Sequence, residues 1–291
     1  MNAKRIRKHL KKKLDDWVAN IQDESIRAII RDHAIVTGGA LVSLLNGEEP
    51  NDYDIYFTTH SACRAVAQYY ANLWNGSKKQ KKSYVEIQDD DKRVRCFIRS
   101  DGVASDNVDD DEMPFADEDE DNEQSPKEEK GKPKYRPRFF SANAISLSDK
   151  IQIVIRFCGP VQEIHTNYDF VHCTCSYDYK TDTVTLPSEA LTAIINKELV
   201  YVGSKYPVAS VVRARKFLSR GWHINAGQYV KMCLQICKLD LYNLDVFKDQ
   251  LTGVDSAYFS TAIEAMERVA DKNPDFRPDE TYLFDIINKI F

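Results

Sequence analysis

Long apolar runs are missing from this chain of 291 residues. No stretch approaches the ~18 consecutive apolar residues that a membrane-spanning helix needs. The N-terminal segment MNAKRIRKHLKKKL also lacks the apolar core of a secretory signal. The seven cysteines are an odd number in a chain without secretory features, which argues against a disulfide framework. We therefore expect a cytoplasmic protein with reduced cysteines and no membrane partner.

Aliphatic residues are scarce over residues 101–138, where the chain is acidic or polar instead. Residues 101–130 hold 14 aspartates and glutamates against two lysines, which leaves 38 basic and 31 acidic residues elsewhere. Such a segment cannot bury enough apolar surface to offset the entropy lost on ordering. We predict a disordered acidic insertion there, and a basic folded remainder although the whole chain has a net charge of −5.

The whole chain is 43% hydrophobic, which is ample for a folded core. Apolar residues at helical spacing over 10–21 predict a first helix, and Ser25 is a candidate cap for a second. Five short apolar runs are typical of strands, at 34–37, 53–58, 84–88, 94–99 and 150–157. Helical patterns follow to the C-terminus. The sequence predicts an α+β head over residues 1–186, with a mixed β-sheet and helices, and an all-helical neck and tail over 187–291.

A Gly-Gly turn and a pair of aspartates stand out early in the chain. Gly38 and Gly39 follow a predicted strand and precede a helix, so the backbone and the positive end of the helix dipole could approach a triphosphate. Asp52 and Asp54 flank Tyr53 on the next predicted strand. Because strand side chains alternate, both carboxylates would point to one face while Tyr53 points to the core. Carboxylates placed in this way can hold two divalent cations for an in-line phosphoryl displacement.

This pair of glycines, followed after twelve residues by Asp52-Tyr53-Asp54-Ile55, resembles the signature of the DNA polymerase β-like nucleotidyltransferase superfamily. The resemblance implies a polymerase β-like head that binds Mg²⁺ or Mn²⁺ through its aspartates and an NTP, with ATP as the expected one. A third carboxylate usually lies on a later strand between two hydrophobic residues. Asp169 fits that pattern, either as a third metal ligand or as a contact to the ribose.

Two later segments, 168–184 and 193–224, resemble class II tRNA nucleotidyltransferases and bacterial poly(A) polymerases. The resemblance implies transfer of a nucleoside monophosphate to an RNA 3′ end. The candidate nucleotide contacts, besides the two glycines, are Ser43, Lys205, Arg213 and Lys216. The match has gaps, since Asn167 and Tyr168 stand where that family has arginines. Pro207 and Ser210 replace its base-reading aspartate and arginine, so ordered C-C-A addition is not expected.

Two other interpretations stay open at this stage. The missing arginines and base-reading residues also fit a catalytically silent relative that keeps the fold and binds RNA or a protein partner. A nucleotidylating factor of the toxin–antitoxin type would share the head signature and would modify a protein or a tRNA. An assay of metal-dependent nucleotide transfer would distinguish these interpretations, because both enzymes would show the activity and the silent relative would not.

Overall fold

The computed structural model describes residues 2–76, 83–90, 93–100, 133–251 and 266–273. The α-helices are α1 (Ala3–Ala19), α2 (Glu24–His33), α3 (Gly39–Asn46), α4 (His60–Asn75), α5 (Val161–His165), α6 (Ser188–Asn196), α7 (Pro207–Ser219), α8 (Ala226–Ile236) and α9 (Leu244–Leu251). The strands are β1 (Ala34–Thr37), β2 (Tyr53–Phe57), β3 (Ser83–Asp90), β4 (Arg93–Ser100), β5 (Pro137–Phe140), β6 (Ala144–Leu147), β7 (Ile151–Cys158), β8 (Ser176–Asp178) and β9 (Thr183–Thr185). A short 3₁₀ helix spans Val171–Thr174. Among the described residues, no helix has the length and apolar character needed to cross a membrane.

Seven strands form one sheet in the order β5-β6-β7-β2-β1-β8-β9, and β3 and β4 form a separate two-stranded ribbon. Strands β2 and β7 pair in parallel, whereas the other neighbours in the large sheet are antiparallel. The predicted α+β class with a mixed sheet is therefore confirmed. The parallel pairing sets Asp54 beside Gln152, so the two residues point to the same face of the sheet.

The first helix covers the sheet as its spacing predicts. α1 buries Ile6, Leu10, Leu14, Trp17 and Val18, which share one face of the helix. The Trp17 indole donates a hydrogen bond of 2.7 Å to the hydroxyl of Tyr70 on α4, which satisfies a polar group inside the core. α1 is thus an integral part of the α+β core.

The predicted cap of the second helix is wrong by two residues. Asp23 is the N-cap of α2, and its carboxylate accepts hydrogen bonds from the backbone amides of Ser25 and Ile26. Ser25 lies inside the first turn and donates its own hydroxyl to Asp23 at 2.6 Å. An ionised carboxylate is a stronger acceptor than a hydroxyl for these amides, and it also suits the positive end of the helix.

The predicted acidic insertion is wrong at its C-terminal end. Tyr135 is buried, and its hydroxyl donates a hydrogen bond of 2.7 Å to Asp16 on α1. β5 then begins at Pro137, so the chain is already part of the core before residue 138. Residues 101–132 lie outside the described residues, and their predicted disorder stays a prediction.

The described segments after residue 187 are mainly helical. α7 and α9 pack together around a second apolar cluster that contains Tyr206, Ala209, Phe247, Leu251 and Met266. An isolated bridge links Phe170 to Tyr201, so irregular backbone also connects this part to the head, and a second bridge links Glu198 to His223 within this part. The domain boundary at 186–187 stays a prediction.

Candidate active site

A cavity opens where β1 ends and α3 begins. It is bounded by the glycine turn, by the face of β2 and β7 that carries Asp54, and by the start and one face of α7. The lining residues are Gly38, Gly39, Asp54, Tyr56, Arg156, Phe157, Asn167, Tyr168, Asp169, Cys173, Tyr206 and Arg213. Residues from five separate parts of the sequence therefore meet at one place.

The glycine turn is fixed by the last residue of β1. Thr37 is fully buried, and its hydroxyl oxygen lies 2.8 Å from the carbonyl oxygen of Cys175 and 2.8 Å from Nε2 of His165. Burial lowers the pKa of His165, which keeps that ring neutral at physiological pH. Gly38 follows with φ +92° and ψ −143°, and α3 begins at Gly39.

The backbone conformation explains why the turn needs glycine at its first position. A Cβ atom on Gly38 would lie 3.5 Å from Oδ2 of Asp54 and 3.6 Å from the hydroxyl of Tyr168. The space is sufficient for such an atom, but the backbone conformation is one that L-residues rarely adopt. At Gly39 the φ is ordinary, and no atom would lie within 4 Å of an added Cβ.

We expect Gly38→Ala to lower the free energy of unfolding by about 1–3 kcal/mol, because the alanine would hold a glycine-only conformation. Gly39→Ala is the matched control next to it and should change stability by less than about 0.5 kcal/mol. Urea denaturation of both variants checks this difference. Equal destabilisation would show that the backbone of the turn differs from the one described.

The two aspartates of the motif do not share the cavity. Tyr53 and Ile55 are buried in the core as predicted, and Asp54 between them lines the cavity. Asp52 precedes the first residue of β2, is exposed, and is absent from the lining. Asp54 is therefore the aspartate of the pair that the structure joins to the glycine turn.

The predicted location of Asp169 on a strand is wrong, since it lies between α5 and the 3₁₀ helix. Oδ2 of Asp169 accepts a hydrogen bond from Nε of Arg213 at 2.8 Å and lies 2.7 Å from Nη2. The two side chains are only 11% and 23% exposed, so the pair is largely desolvated. Asp169 and Arg213 both line the cavity, and each is held in place by the other.

The remaining predicted nucleotide contacts lie outside the cavity lining. Ser43 is half-buried further along α3, while Lys205 and Lys216 are exposed. Ser210, at a base-reading position of the resembled enzymes, is fully buried and donates its hydroxyl to the carbonyl oxygen of Tyr206 at 3.2 Å. Nucleotide binding by Ser43, Lys205 and Lys216 stays a prediction.

Arg156 is a cavity residue that the sequence alone did not predict, whereas Tyr206 was expected as an aromatic that could stack on a base. Arg156, near the end of β7, is 6% exposed and donates a hydrogen bond from Nη2 to the hydroxyl of Tyr206. Its guanidinium carbon lies 4.6 Å from the ring centroid of Tyr206 and 5.4 Å from that of Phe157. Burial lowers the pKa of Arg156, and the contact with Tyr206 opposes that shift. The available signal was an arginine inside an otherwise apolar strand, KIQIVIRF.

Cys173 lines the cavity but is poorly suited to act as a nucleophile. Burial raises the pKa of its thiol, and the nearby charge of Asp169 raises it further. The thiolate is the reactive form of cysteine, so this side chain stays protonated and unreactive at neutral pH.

An aromatic cluster supports the 3₁₀ helix next to Asp169. His172 is fully buried, with ring centroids of Phe217 at 4.6 Å and Trp222 at 4.4 Å. Neither ring nitrogen of His172 has a hydrogen-bond partner among the described residues. Burial lowers the pKa of His172 to about 4, although the charge of Asp169 acts in the opposite direction.

This shift predicts a loss of stability in acid. The unfolded chain binds a proton on His172 near pH 6.5, whereas the folded chain resists it until about pH 4. Stability contributed by the neutral ring is present above pH 6.5 and is lost as the pH falls toward 4, by about 3 kcal/mol in total. We expect His172→Phe to remove that part of the pH dependence, measured by urea unfolding at about pH 7.5 and about pH 5. Identical pH dependence in the two proteins would contradict the assignment.

Two carboxylates, those of Asp54 and Asp169, line the cavity. Among the residues that the structure describes, no group of three or more His, Cys, Asp or Glu side chains is placed to hold a metal ion. Mg²⁺ commonly binds through one or two carboxylates, substrate phosphates and waters. The hard oxygen of Asp54 beside the glycine turn fits an ion that arrives with a nucleotide better than one held by the protein alone.

Residues 8–197 match the sequence model of a family described as Gad2, Gabija anti-defense 2 family protein. The protein "Gabija anti-defense 2" of Bacillus phage SPbetaL7 is 21% identical over 282 residues, which cover 94% of this chain and 56% of that protein. The chain thus spans about half the length of the curated relative it matches.

Solved structures with a similar arrangement include two tRNA-processing enzymes. The Thermotoga maritima CCA-adding enzyme complexed with tRNA has a TM-score of 0.42 at 11% identity, over 86% of this chain and 54% of that one. A tRNA nucleotidyltransferase complexed with a primer tRNA and an incoming ATP analog has a TM-score of 0.37 at 12% identity, over 89% of this chain and 56% of that one.

Proposed function

The chain belongs to the Gabija anti-defense 2 family, and we propose that it counteracts the Gabija defence by nucleotidyl transfer. It would move a nucleoside monophosphate from an NTP to a hydroxyl acceptor and release pyrophosphate. The observation that carries the proposal is that Asp54 and the Gly38–Gly39 turn line the same cavity, at the point where α3 begins. A carboxylate beside a helix N-terminus whose cap residue makes no side-chain hydrogen bond suits a metal-bound triphosphate.

The cavity has groups that could act at each part of the reaction. The acceptor oxygen would attack the α-phosphorus, and the bond from that phosphorus to the oxygen bridging to the β-phosphate would break. The first amides of α3 would face the phosphates. The guanidinium of Arg156 would stabilise the negative charge of the phosphates, because its hydrogen bond to Tyr206 holds it in the cavity wall.

Asp54 would hold Mg²⁺ or Mn²⁺, with Asp52 as a second donor and the NTP phosphates completing the shell. A bound divalent ion would supply charge stabilisation for the transferred phosphoryl group. Asp169 would act through Arg213, since that arginine occupies its carboxylate oxygen at 2.8 Å. The Asp169–Arg213 pair would fix the wall of the cavity that faces the sugar or the phosphates of the nucleotide.

Base selection would rest on the aromatic wall of the cavity. Tyr56, Phe157 and Tyr206 line it, while the hydroxyl of Ser210 is committed to its own helix. Without a fixed hydrogen-bonding edge, the site would discriminate weakly among bases. We propose ATP as the donor and an RNA 3′ end as the acceptor, without ordered C-C-A addition.

The test is incubation of the purified protein with heat-inactivated bacterial lysate and each of the four NTPs in turn, labelled at the α-phosphate, with Mg²⁺ or Mn²⁺, beside a reaction without the protein. We expect the label to enter a macromolecule that ribonuclease destroys, and EDTA to abolish the incorporation. Label that protease removes instead would assign the activity to the protein-modifying alternative. No incorporation with any NTP would overturn the enzymatic proposal and favour the silent scaffold.

A further inference from the structure

The β3–β4 ribbon has one buried face and one exposed face. The eight registered pairs run from Ser83 opposite Ser100 to Asp90 opposite Arg93. Val85, Val94 and Cys96 are buried on the inner face, against α4 and β7. Because strand side chains alternate, the residues between them form the outer face.

Aromatic and cationic side chains share that outer face. Tyr84 is 55% exposed and Phe97 is 40% exposed, although residues of this type are usually buried. Arg93 and Arg95 are half-exposed and precede Phe97 at alternate positions of β4. Gln88 lies opposite Arg95 and donates a hydrogen bond of 2.8 Å to Glu86. Aromatic and charged side chains therefore lie next to one another along the outer face of the ribbon.

We propose that the outer face of the β3–β4 ribbon binds single-stranded nucleic acid without strong sequence preference. Exposed rings stack on bases, all of which offer a π-face, and arginines contact the phosphates between them. A protein partner would favour an apolar patch depleted of charge at its centre. Here Arg93 and Arg95 share the face with Phe97, which fits bases and phosphates better than a dry protein contact, while the carboxylate of Glu86 accepts a hydrogen bond from Gln88.

The ribbon also leads toward the cavity. β4 contacts β7, the strand that carries Arg156. A nucleic-acid strand bound along β4 would therefore lie on the ribbon that packs against this strand of the cavity wall. This link rests on the proposed function, whereas the binding itself does not.

Fluorescence anisotropy with a labelled poly(U) oligonucleotide of about 12 nucleotides, in EDTA and without NTP, tests the binding separately from catalysis. We expect Tyr84→Ala and Phe97→Ala each to weaken binding by about 5- to 100-fold, as loss of a stacking ring does. Tyr242→Ala removes a ring that is 56% exposed elsewhere and should leave the affinity unchanged. Circular dichroism confirms the fold of each variant.

The contribution of the arginines to binding is tested by its salt dependence. Arg95→Gln should reduce the slope of log K against log salt by ~0.7, whereas Arg31→Gln, on α2, should not. Absence of oligonucleotide binding at low salt, or equal binding by the parent, Tyr84→Ala and Phe97→Ala, would overturn the proposal and leave a protein contact as the use of this face. Binding by the parent without nucleotide transfer would overturn the proposed function alone.

Discussion

Replacing Asp54 with asparagine is expected to lower nucleotidyl transfer by about 10²- to 10³-fold while the protein stays folded. Asparagine keeps the volume and the hydrogen-bonding reach of aspartate but removes the charge that a divalent cation needs. Asp54 is the aspartate of the motif that lines the cavity beside Gly38, so it should carry this effect. The measurement is the initial rate of label incorporation, together with a urea unfolding curve.

Asp32→Asn is the matched control for that charge change. Asp32 lies on α2, exposed, with an ion pair to Lys180 at 3.3 Å. Its replacement should leave the rate unchanged. Asp52→Asn then reports whether the exposed aspartate acts with Asp54. Equal rates in Asp54→Asn and the parent would contradict the assignment of the cavity as the active site.

Arg213→Met should produce the largest loss of stability, about 3–5 kcal/mol, because it leaves a buried carboxylate without its cation. The Asp169 side chain is only 11% exposed, and two nitrogens of Arg213 contact its Oδ2 within 2.8 Å. The double variant Asp169→Asn with Arg213→Met should recover part of the loss, since it removes the unpaired charge. The shift in urea midpoint at constant slope measures both effects.

Lys180→Met is the control for an ion pair at the surface. Nζ of Lys180 lies 3.3 Å from the carboxylate of Asp32, and the two side chains are 60% and 56% exposed. Water and salt screen such a pair, so its loss should cost less than about 1 kcal/mol. If Arg213→Met costs no more than Lys180→Met, the Asp169–Arg213 pair does not stabilise the site in the way described.

Local patterns in the sequence were sufficient to predict much of the framework. The helical spacing of Leu10, Leu14 and Trp17 predicts α1, and the turn at Gly38 and Gly39 predicts the junction of β1 and α3. These elements are local, since each is set by the period of its own apolar residues. Strands β5 and β6 were missed, because each has four residues and PRFF lacks a clear alternation.

The site itself depends on contacts between distant residues. Asp169 and Arg213 are 44 positions apart, and Arg156 and Tyr206 are 50 apart. The periodicity of apolar residues cannot predict such pairs, because they form only when α7 packs beside the sheet. Tyr135 was assigned to the acidic insertion because its neighbours are charged, yet the core buries its ring. Average composition therefore misplaced a single anchoring residue.

The position of the transferred phosphate tests the central proposal most directly. ATP, or the NTP that gives the highest incorporation, is labelled at the α-phosphate in one reaction and at the γ-phosphate in a parallel reaction, each with Mg²⁺ and bacterial lysate whose own enzymes have been inactivated by heat. The account predicts that only the α-label enters the acceptor, that the γ-label leaves in pyrophosphate, and that Asp54→Asn loses both signals. Entry of the γ-label into the acceptor, or α-label incorporation that persists in Asp54→Asn, would contradict nucleotidyl transfer at this cavity.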